Sequence, residues 1–340
     1  MEKRCDSTVK KPRTYALKEM LVQRFVAEGR VREVFIERCV LSSLNHPTIV
    51  KFYQSFKNGN KLYLLVEHCQ GGSLSDFLIR QKVLTTDLAR HFTAEIVLAL
   101  EYLRQKQVVH RDLKPGNIVL DRNYHIKLID FATCKVFNKE ISEEIKVLRA
   151  RFNLGKSMGL GDDNDIQDKS RCYSLVGTEE YIAPETINDI DLSYACDLWS
   201  LGVILYEQLN GSTPFKGRSP LETFHNIRQC DDIKYEKPNC DPVAKDLIER
   251  LLKKEPSERI GAADIEELKS HPFFQDIDWA TLRETKPPYN PPTKFRRQQA
   301  NLAKVNTRPK QVTSFIKPGN DSPNSLINSP NMSPMSSPVK

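Results

Sequence analysis

Residues 108–120, VVHRDLKPGNIVL, place an aspartate, a lysine and an asparagine close together, at Asp112, Lys114 and Asn117. A further aspartate, Asp130, ends the apolar run IKLI thirteen residues after Asn117. Phosphoryl transfer could use such a group, since it needs a carboxylate for a hydroxyl proton, cations for the phosphates and oxygen ligands for Mg²⁺. The alternative interpretations are a polar turn for the first stretch and an acidic turn residue for Asp130.

The first stretch resembles the catalytic loop of protein kinases over the eight residues HRDLKPGN, and a strand pattern follows it. The resemblance implies that Asp112 orients and deprotonates the substrate hydroxyl. It also implies that Lys114 contacts the γ-phosphate of ATP and that Asn117 binds Mg²⁺. By the same resemblance Asp130 is the main Mg²⁺ ligand.

Lys18, in the stretch YALK, matches the small-lobe lysine that contacts the α- and β-phosphates in this family. Its expected partner is Glu37, which shares a helix face with Val34 and Leu41. A carboxylate on that inward face needs a cation, because burying it unpaired is costly. Taken alone, Lys18 could equally be an exposed strand lysine.

The resemblance also implies where the adenine ring of ATP binds. Hinge backbone groups recognise the ring in protein kinases, and here these groups belong to Glu67 and Cys69. Ala16 and Val119 are implied to line the apolar slot above and below the ring. Cys69 has an alternative interpretation as a small buried hydrophobe.

Strand and helix patterns around these residues indicate an α+β fold with two lobes. TYALKEM (14–20) and KLYLLVEHC (61–69) have strand patterns, and residues 28–44 between them have a helical pattern. A long amphipathic helix is predicted after Thr85, and the apolar residues 197–211 predict a buried central helix.

We therefore expect the two-lobed protein kinase fold, with an incomplete small lobe built on an antiparallel sheet and a larger, mainly helical lobe. The expected divisions are a remnant of earlier strands or irregular chain (1–13), the kinase domain (14–285) with its small lobe (14–67), hinge (67–72) and large lobe (73–285), an insertion in the activation segment (138–171) and a disordered tail (286–340).

Within the protein kinases, the chain is most similar to the AGC group of Ser/Thr kinases and, among these, to the 3-phosphoinositide-dependent kinases. FTAEIVLALEYL, HPFF and IDWATL carry the first similarity, while SLVGTEEYIAPE and Thr133 in DFATCKVF carry the second. The resemblance implies that the chain phosphorylates Ser or Thr in protein substrates, namely the activation loops of other AGC kinases.

The subfamily resemblance implies further sites outside the chemistry. Ser174 would be the activation-loop phosphosite, with Arg111 as its cationic partner. A small-lobe docking pocket for substrates would have Arg38 near its phosphate-binding edge. Its apolar lining would be Val22, Val26 and Leu62, although any amphipathic helix presents residues of this kind.

Three more residues are implied to be structural. Glu185 and Arg259 match an ion pair of the large lobe, and Asp197 would hold the catalytic loop from the buried helix.

The sequence departs from the family pattern on both sides of the expected ATP site. No glycine-rich loop precedes Lys18, which implies either a truncated chain or an impaired protein. Ala132 stands where the family has glycine after Asp-Phe. If the backbone there needs a positive φ, the added Cβ costs about 1–2 kcal/mol.

Two later segments also depart from the family. In the insertion, Ile141, Ile145, Leu148 and Phe152 have helical spacing, and we expect a solvated insertion rather than a dedicated regulatory element. No lipid-binding domain follows residue 285, and the tail contains four Ser-Pro pairs.

Two functions from different classes remain open at this point. An active Mg²⁺- and ATP-dependent Ser/Thr kinase is favoured by the joint presence of Lys18, Glu37, Asp112, Asn117 and Asp130. A catalytically impaired pseudokinase, acting as a docking or scaffold module for AGC kinases, is favoured by the missing glycine loop and Ala132.

Charge and cysteine content limit the partners and the compartment. The net charge of +7 comes from residues 286–340, where nine Lys/Arg and one acid give +8. We therefore expect no nucleic-acid binding, at most weak membrane contact through this tail, and a monomer that acts on protein substrates. Eight scattered cysteines, no CxxC pair and no apolar run of membrane-spanning length predict a soluble, cytoplasmic protein.

Overall fold

Three antiparallel strands form the sheet of the small lobe, in the order β1-β3-β2. The computed structural model describes residues 14–28, 30–151, 179–187, 193–229, 232–235 and 241–291. The strands are β1 (Tyr15–Leu21), β2 (Phe52–Asn58) and β3 (Lys61–Glu67). Because successive strand residues point to opposite faces, Ala16 and Lys18 lie on one face of the sheet.

Two helices lie between β1 and β2, namely α1 (Val22–Ala27) and α2 (Val31–Ser43). α2 fits the helix predicted over 28–44, while the sequence pattern gives no separate signal for α1. The strand predicted over 14–20 is confirmed, and β3 ends two residues earlier than the predicted strand 61–69. α2 is buried along most of its length and carries Glu37, which is 2% exposed.

The rest of the described chain is mainly helical, as the sequence predicts. Its strands are short and support loops of the site: β4 (Gly72–Ser73), β5 (Val108–Val109), β6 (Ile118–Leu120), β7 (Ile126–Leu128) and β8 (Lys135–Val136). Its helices are α3 (Leu74–Gln81), α4 (Thr86–Gln105), α5 (Lys139–Arg151), α6 (Pro184–Ile187), α7 (Ala195–Asn210), α8 (Pro220–Gln229), α9 (Pro242–Leu251) and α10 (Ile265–Lys269).

α7 is the buried central helix that the apolar stretch 197–211 predicts. Trp199 is fully buried, and Gly202 lets α9 approach, since a Cβ there would lie 2.9 Å from the Cβ of Leu251. The helix ends at Gly211, whose φ of 87° lies in the left-handed region that favours glycine. α7 is therefore a closely packed helix, and it carries Asp197 in its first turn.

The predicted ion pair of Glu185 and Arg259 is confirmed and lies under the large lobe's surface. Arg259 donates from Nη1 and Nη2 to the two carboxylate oxygens of Glu185, both at 2.7 Å. The Arg259 guanidinium also stacks on Trp199, 5.1 Å from the ring centroid. A fully buried arginine needs such a partner, because an unpaired charge in the interior is costly.

A second buried charge, Glu95 of α4, joins three parts of the large lobe. Its Oε1 accepts from His125 Nδ1 at 2.6 Å and from Arg283 Nη1 at 2.8 Å, and its Oε2 accepts from the backbone N–H of Ile126 at 2.8 Å. Arg283 also donates to the backbone oxygen of Pro47, in the loop after α2, at 3.0 Å. Burial opposes the charge of Glu95, but these donors outweigh it and lower its pKa to about 2.

His91, Glu95 and His125 have the residue types and spacing of a metal site. Arg283 already supplies a positive charge directly to the Glu95 carboxylate. A metal ion bound there would face this guanidinium at close range, which like-charge repulsion disfavours. We therefore interpret the group as a structural ion-pair cluster.

In the described part of the chain no helix is both long and apolar enough to cross a membrane.

The Glu95 cluster predicts a pH-dependent stability difference between the chain and a Glu95→Gln variant. A lowered carboxyl pKa stabilises the fold above the unfolded-state pKa of 4.5, and this contribution is lost as the pH falls toward 2. The wild-type advantage in unfolding free energy should therefore shrink by about 1 kcal/mol between pH 7 and pH 3.5. Urea unfolding of both proteins at both pH values measures this difference in unfolding free energy. A difference that does not change with pH contradicts the lowered pKa of Glu95.

Candidate active site

Asp197 of α7 anchors the loop between β5 and β6. Its carboxylate accepts from the backbone N–H groups of His110 at 2.8 Å and Arg111 at 2.9 Å. Burial raises the pKa of Asp197, and His110 with the two backbone donors opposes that rise. Arg111 has a φ of 69°, an uncommon value for a residue with a Cβ, so the loop needs this anchor to keep its conformation.

The three catalytic-loop residues that the sequence predicts do contact one another. Asn117 Nδ2 donates to both the backbone oxygen and Oδ2 of Asp112, each at 2.8 Å. Lys114 Nζ lies 3.0 Å from Oδ1 and 2.8 Å from Oδ2 of the same carboxylate. The Asp112 side chain is 22% exposed, so it is oriented by its neighbours and still open to a substrate.

Lys18 links the small lobe to Asp130, the residue that follows IKLI. Its Nζ donates to Oε1 and Oε2 of Glu37 at 2.6 and 2.8 Å, and to Oδ1 of Asp130 at 3.1 Å. Burial disfavours the ammonium, but the two carboxylates outweigh it and raise the pKa of Lys18. Burial likewise opposes the charge of Asp130, yet Lys18 lowers the pKa of that carboxyl.

The segment after Asp130 is fixed without strain at Ala132. Phe131 is fully buried on the ring of His110, with centroids 5.0 Å apart. The backbone φ of Asp130 is 64°, which is in the left-handed region, whereas the φ of Ala132 is not in that region. The conformational cost considered for Ala132 therefore does not arise here.

Of the four residues expected around the adenine ring, Glu67 and Cys69 lie at the hinge, while Ala16 is on β1 and Val119 is on β6. Ala16 pairs with Val66 in the β1-β3 ladder, one position before Glu67, the last residue of β3. Val119 lies on β6, opposite Ser73 of β4, just after the hinge. Cys69 is a free, half-buried thiol, and burial raises its pKa to about 12.

Two hinge features escape the sequence patterns. The Glu67 carboxylate lies 3.0 Å from Lys127 Nζ, and Lys127 also donates to the backbone oxygen of Pro47 at 2.9 Å. Gly71 donates from its N–H to the Leu120 oxygen at 2.8 Å, and a Cβ on it would lie 2.6 Å from the Leu120 Cβ. These contacts hold the hinge against β6 and β7. The paired glycines of CQGG indicate a connector, but they predict neither contact.

The expected docking residues lie on the small lobe, and one of them has an unexpected partner. Val22 and Val26 are on α1, and Leu62 is on β3. Arg38 of α2 forms an ion pair with Glu144 of α5, through Nη1 and Oε1. Ser174, the expected phosphosite for Arg111, lies outside the described residues, as do residues 1–13 and most of the tail.

The beginning of the insertion is not solvated, contrary to the expectation from sequence. Ile141, Ile145 and Leu148 are on α5 and are 5%, 7% and 4% exposed. Their helical spacing is the correct signal for a buried helix face, but it does not reveal that α5 packs against α2. Phe152 lies outside the described residues.

Comparisons with known proteins agree with this geometry. The family described as protein kinase domain matches residues 5–274. The chain is 40% identical to 3-phosphoinositide-dependent protein kinase 1 of Arabidopsis thaliana over 277 residues, which cover 81% of this chain and 52% of that protein. It is 37% identical to flippase kinase 1 of Saccharomyces cerevisiae, covering 89% of this chain and 33% of the relative. Serine/threonine-protein kinase ppk22 of Schizosaccharomyces pombe is 38% identical, covering 82% and 54%.

The chain thus spans about half the length of these relatives, or less. The matched residues include both lobes and every described residue of the site. The resemblance to AGC-group Ser/Thr kinases that the sequence motifs carry is confirmed by these relatives. The chain belongs to the protein kinase family.

Proposed function

We propose that this chain transfers the γ-phosphoryl group of ATP to Ser or Thr hydroxyls of protein substrates. The observation that carries the proposal is the joint assembly of two groups, Asp112 with Lys114 and Asn117, and Lys18 with Glu37 and Asp130. A protein kinase domain implies ATP as the phosphoryl donor.

Asp112 is the proposed acceptor of the substrate hydroxyl proton. The bonds from Asn117 and Lys114 fix its carboxylate, so a hydroxyl that approaches the exposed part meets a preoriented base. Lys114 carries its charge beside that base, where it would also contact the transferred phosphoryl group. The proton leaves the substrate oxygen for the Asp112 carboxylate as that oxygen bonds to the γ-phosphorus, and the bond from this phosphorus to the bridging oxygen of the β-phosphate breaks, so that ADP leaves.

Lys18 is the proposed contact for the α- and β-phosphates. Its raised pKa keeps the ammonium charged, and Glu37 holds it in place from the α2 side. At the hinge, backbone groups of Glu67 and Cys69 are proposed to bind the adenine edge, with Ala16 and Val119 against its faces. The contacts of Glu67 with Lys127 support this, because they fix the end of β3.

The donor set on this side of the site fits Mg²⁺. The carboxylate of Asp130, whose side chain is 40% exposed, and the amide of Asn117 offer the hard oxygen atoms that this ion prefers. When bound, Mg²⁺ would neutralise phosphate charge during transfer. We propose Asp130 and Asn117 as its ligands.

The substrate class is proposed more broadly than the subfamily resemblance suggests. One relative is named for dependence on 3-phosphoinositides and another as a flippase kinase, so the names differ in what they imply. Activation loops of AGC kinases remain the predicted targets. A monomer inside the cell, with at most weak membrane contact through the tail, also remains a prediction.

Replacing the proposed base tests the chemistry. Asp112→Asn keeps the size of the side chain but removes the proton acceptor, so transfer should fall on the order of 10²–10⁴-fold. Radiolabelled phosphate transfer from ATP to an activation-loop peptide measures this. Asp87→Asn is the matched control, since Asp87 is a 74% exposed carboxylate in the first turn of α4. Equal rates for the wild type and Asp112→Asn contradict the proposal.

Replacing the proposed phosphate contact tests ATP binding separately. Lys18→Met removes a charged contact to the phosphates and leaves Glu37 and Asp130 without their cation. ATP affinity should fall by about 10–100-fold, the size of a lost charge-assisted hydrogen bond. Titration calorimetry measures the dissociation constant. Lys61→Met is the control, because Lys61 lies on the same sheet in an exposed pair with Glu19. An unchanged affinity in Lys18→Met would sink this assignment.

A further inference from the structure

α5, the helix that begins the inserted segment after Asp130, packs against α2. Three of its apolar residues, Ile141, Ile145 and Leu148, occur at i, i+4 and i+7 and therefore share one helix face. All three are buried although the other residues of α5 are mostly charged. Burial of this face therefore anchors α5 along its length, with α2 of the small lobe and β8 packed against the helix.

Arg38 and Glu144 add a directional contact to this apolar packing. The Arg38 side chain is 11% exposed, so its charge depends on the carboxylate that α5 brings to it. Glu144 is 40% exposed and lies between Ile141 and Ile145 in the sequence of α5. The pair is thus at the edge of the packed face, where it sets the rotation of α2 relative to α5.

The position of Arg38 in α2 makes that rotation matter for the site. Arg38 directly follows Glu37, so the two side chains leave the helix about 100° apart. Glu37 contacts Lys18 on one side, and Arg38 contacts α5 on another. A rotation of α2 about its axis would therefore break both contacts together.

We propose that Arg38 and Glu144 form a positioning pair, through which α5 holds α2 in the orientation that keeps Glu37 bonded to Lys18. The inference rests on the proposed function, because it assigns Lys18 to ATP. Neither residue of the pair touches the substrates. They act through the orientation of α2, and the activation segment thereby contributes to the ATP site from outside it.

The test is a double-substitution cycle read as ATP affinity. Glu144→Gln removes the charge without changing the size of the side chain, and it should weaken ATP binding about tenfold by releasing Glu37. In a Glu37→Gln background, the same substitution should add no more than about a twofold change, since the link it supports is already broken. Titration calorimetry gives the four dissociation constants, and thermal unfolding checks that each variant is folded.

Two further variants separate positioning from general stability. Glu143→Gln is the matched control, because Glu143 is the neighbouring carboxylate of α5 and pairs with Lys146 at the surface. It should change ATP affinity by no more than about twofold. The exchanged pair Arg38→Glu with Glu144→Arg should recover most of the lost affinity, and hydrogen exchange of the α2 amides should rise in Glu144→Gln and recover in the exchanged pair.

The outcomes distinguish this inference from the proposed function. A wild-type chain that binds ATP, with an equal affinity in Glu144→Gln, overturns the inference alone. A tenfold loss that persists in the Glu37→Gln background also overturns it, since α5 would then act independently of Glu37. A wild-type chain that binds no ATP overturns both the proposed function and the inference.

Discussion

One ammonium group, that of Lys18, balances two carboxylates that come from distant parts of the chain. Glu37 is almost fully buried, and burying its carboxylate without a cation would cost free energy. Asp130 follows a strand of the large lobe. Three elements must therefore meet at this point, namely β1, α2 and the chain after β7. The relation between the two lobes follows from this requirement, because moving either lobe would separate Lys18 from one of its partners.

The site also holds backbone conformations that the chain would not adopt on its own. Arg111 and Asp130 have φ values of 69° and 64°, one in the catalytic loop and one at the start of the activation segment. Such conformations persist where surrounding contacts over-determine them. Asp197 supplies these contacts for Arg111 through two backbone bonds, and Lys18 together with the burial of Phe131 does so for Asp130. The buried helix α7 and the small-lobe lysine thus stabilise the two ends of one site.

The sequence predicts the site where contacts depend on local spacing. Asp112, Lys114 and Asn117 are close in sequence, and the helical face of Glu37 predicts its need for a cation. It does not predict contacts between exposed-looking charges far apart in the chain. Arg38 and Glu144 are separated by 106 residues, and nothing in the sequence distinguishes Glu144 from the other charged residues of α5. The contact between Lys127 and Glu67 also joins two charged residues that are far apart in the chain, and the sequence does not predict it. Ala132 shows the reverse case, since the family pattern suggests strain that the backbone does not have.

The central claim is that this assembly phosphorylates protein hydroxyls, and the product of the unmodified chain tests it most directly. Purified chain, ATP, Mg²⁺ and an activation-loop peptide with one Ser or Thr should give a peptide whose mass increases by one phosphoryl group, with phosphoserine or phosphothreonine identified by fragmentation. Phosphate release into water without peptide modification, or no consumption of ATP, would contradict the account.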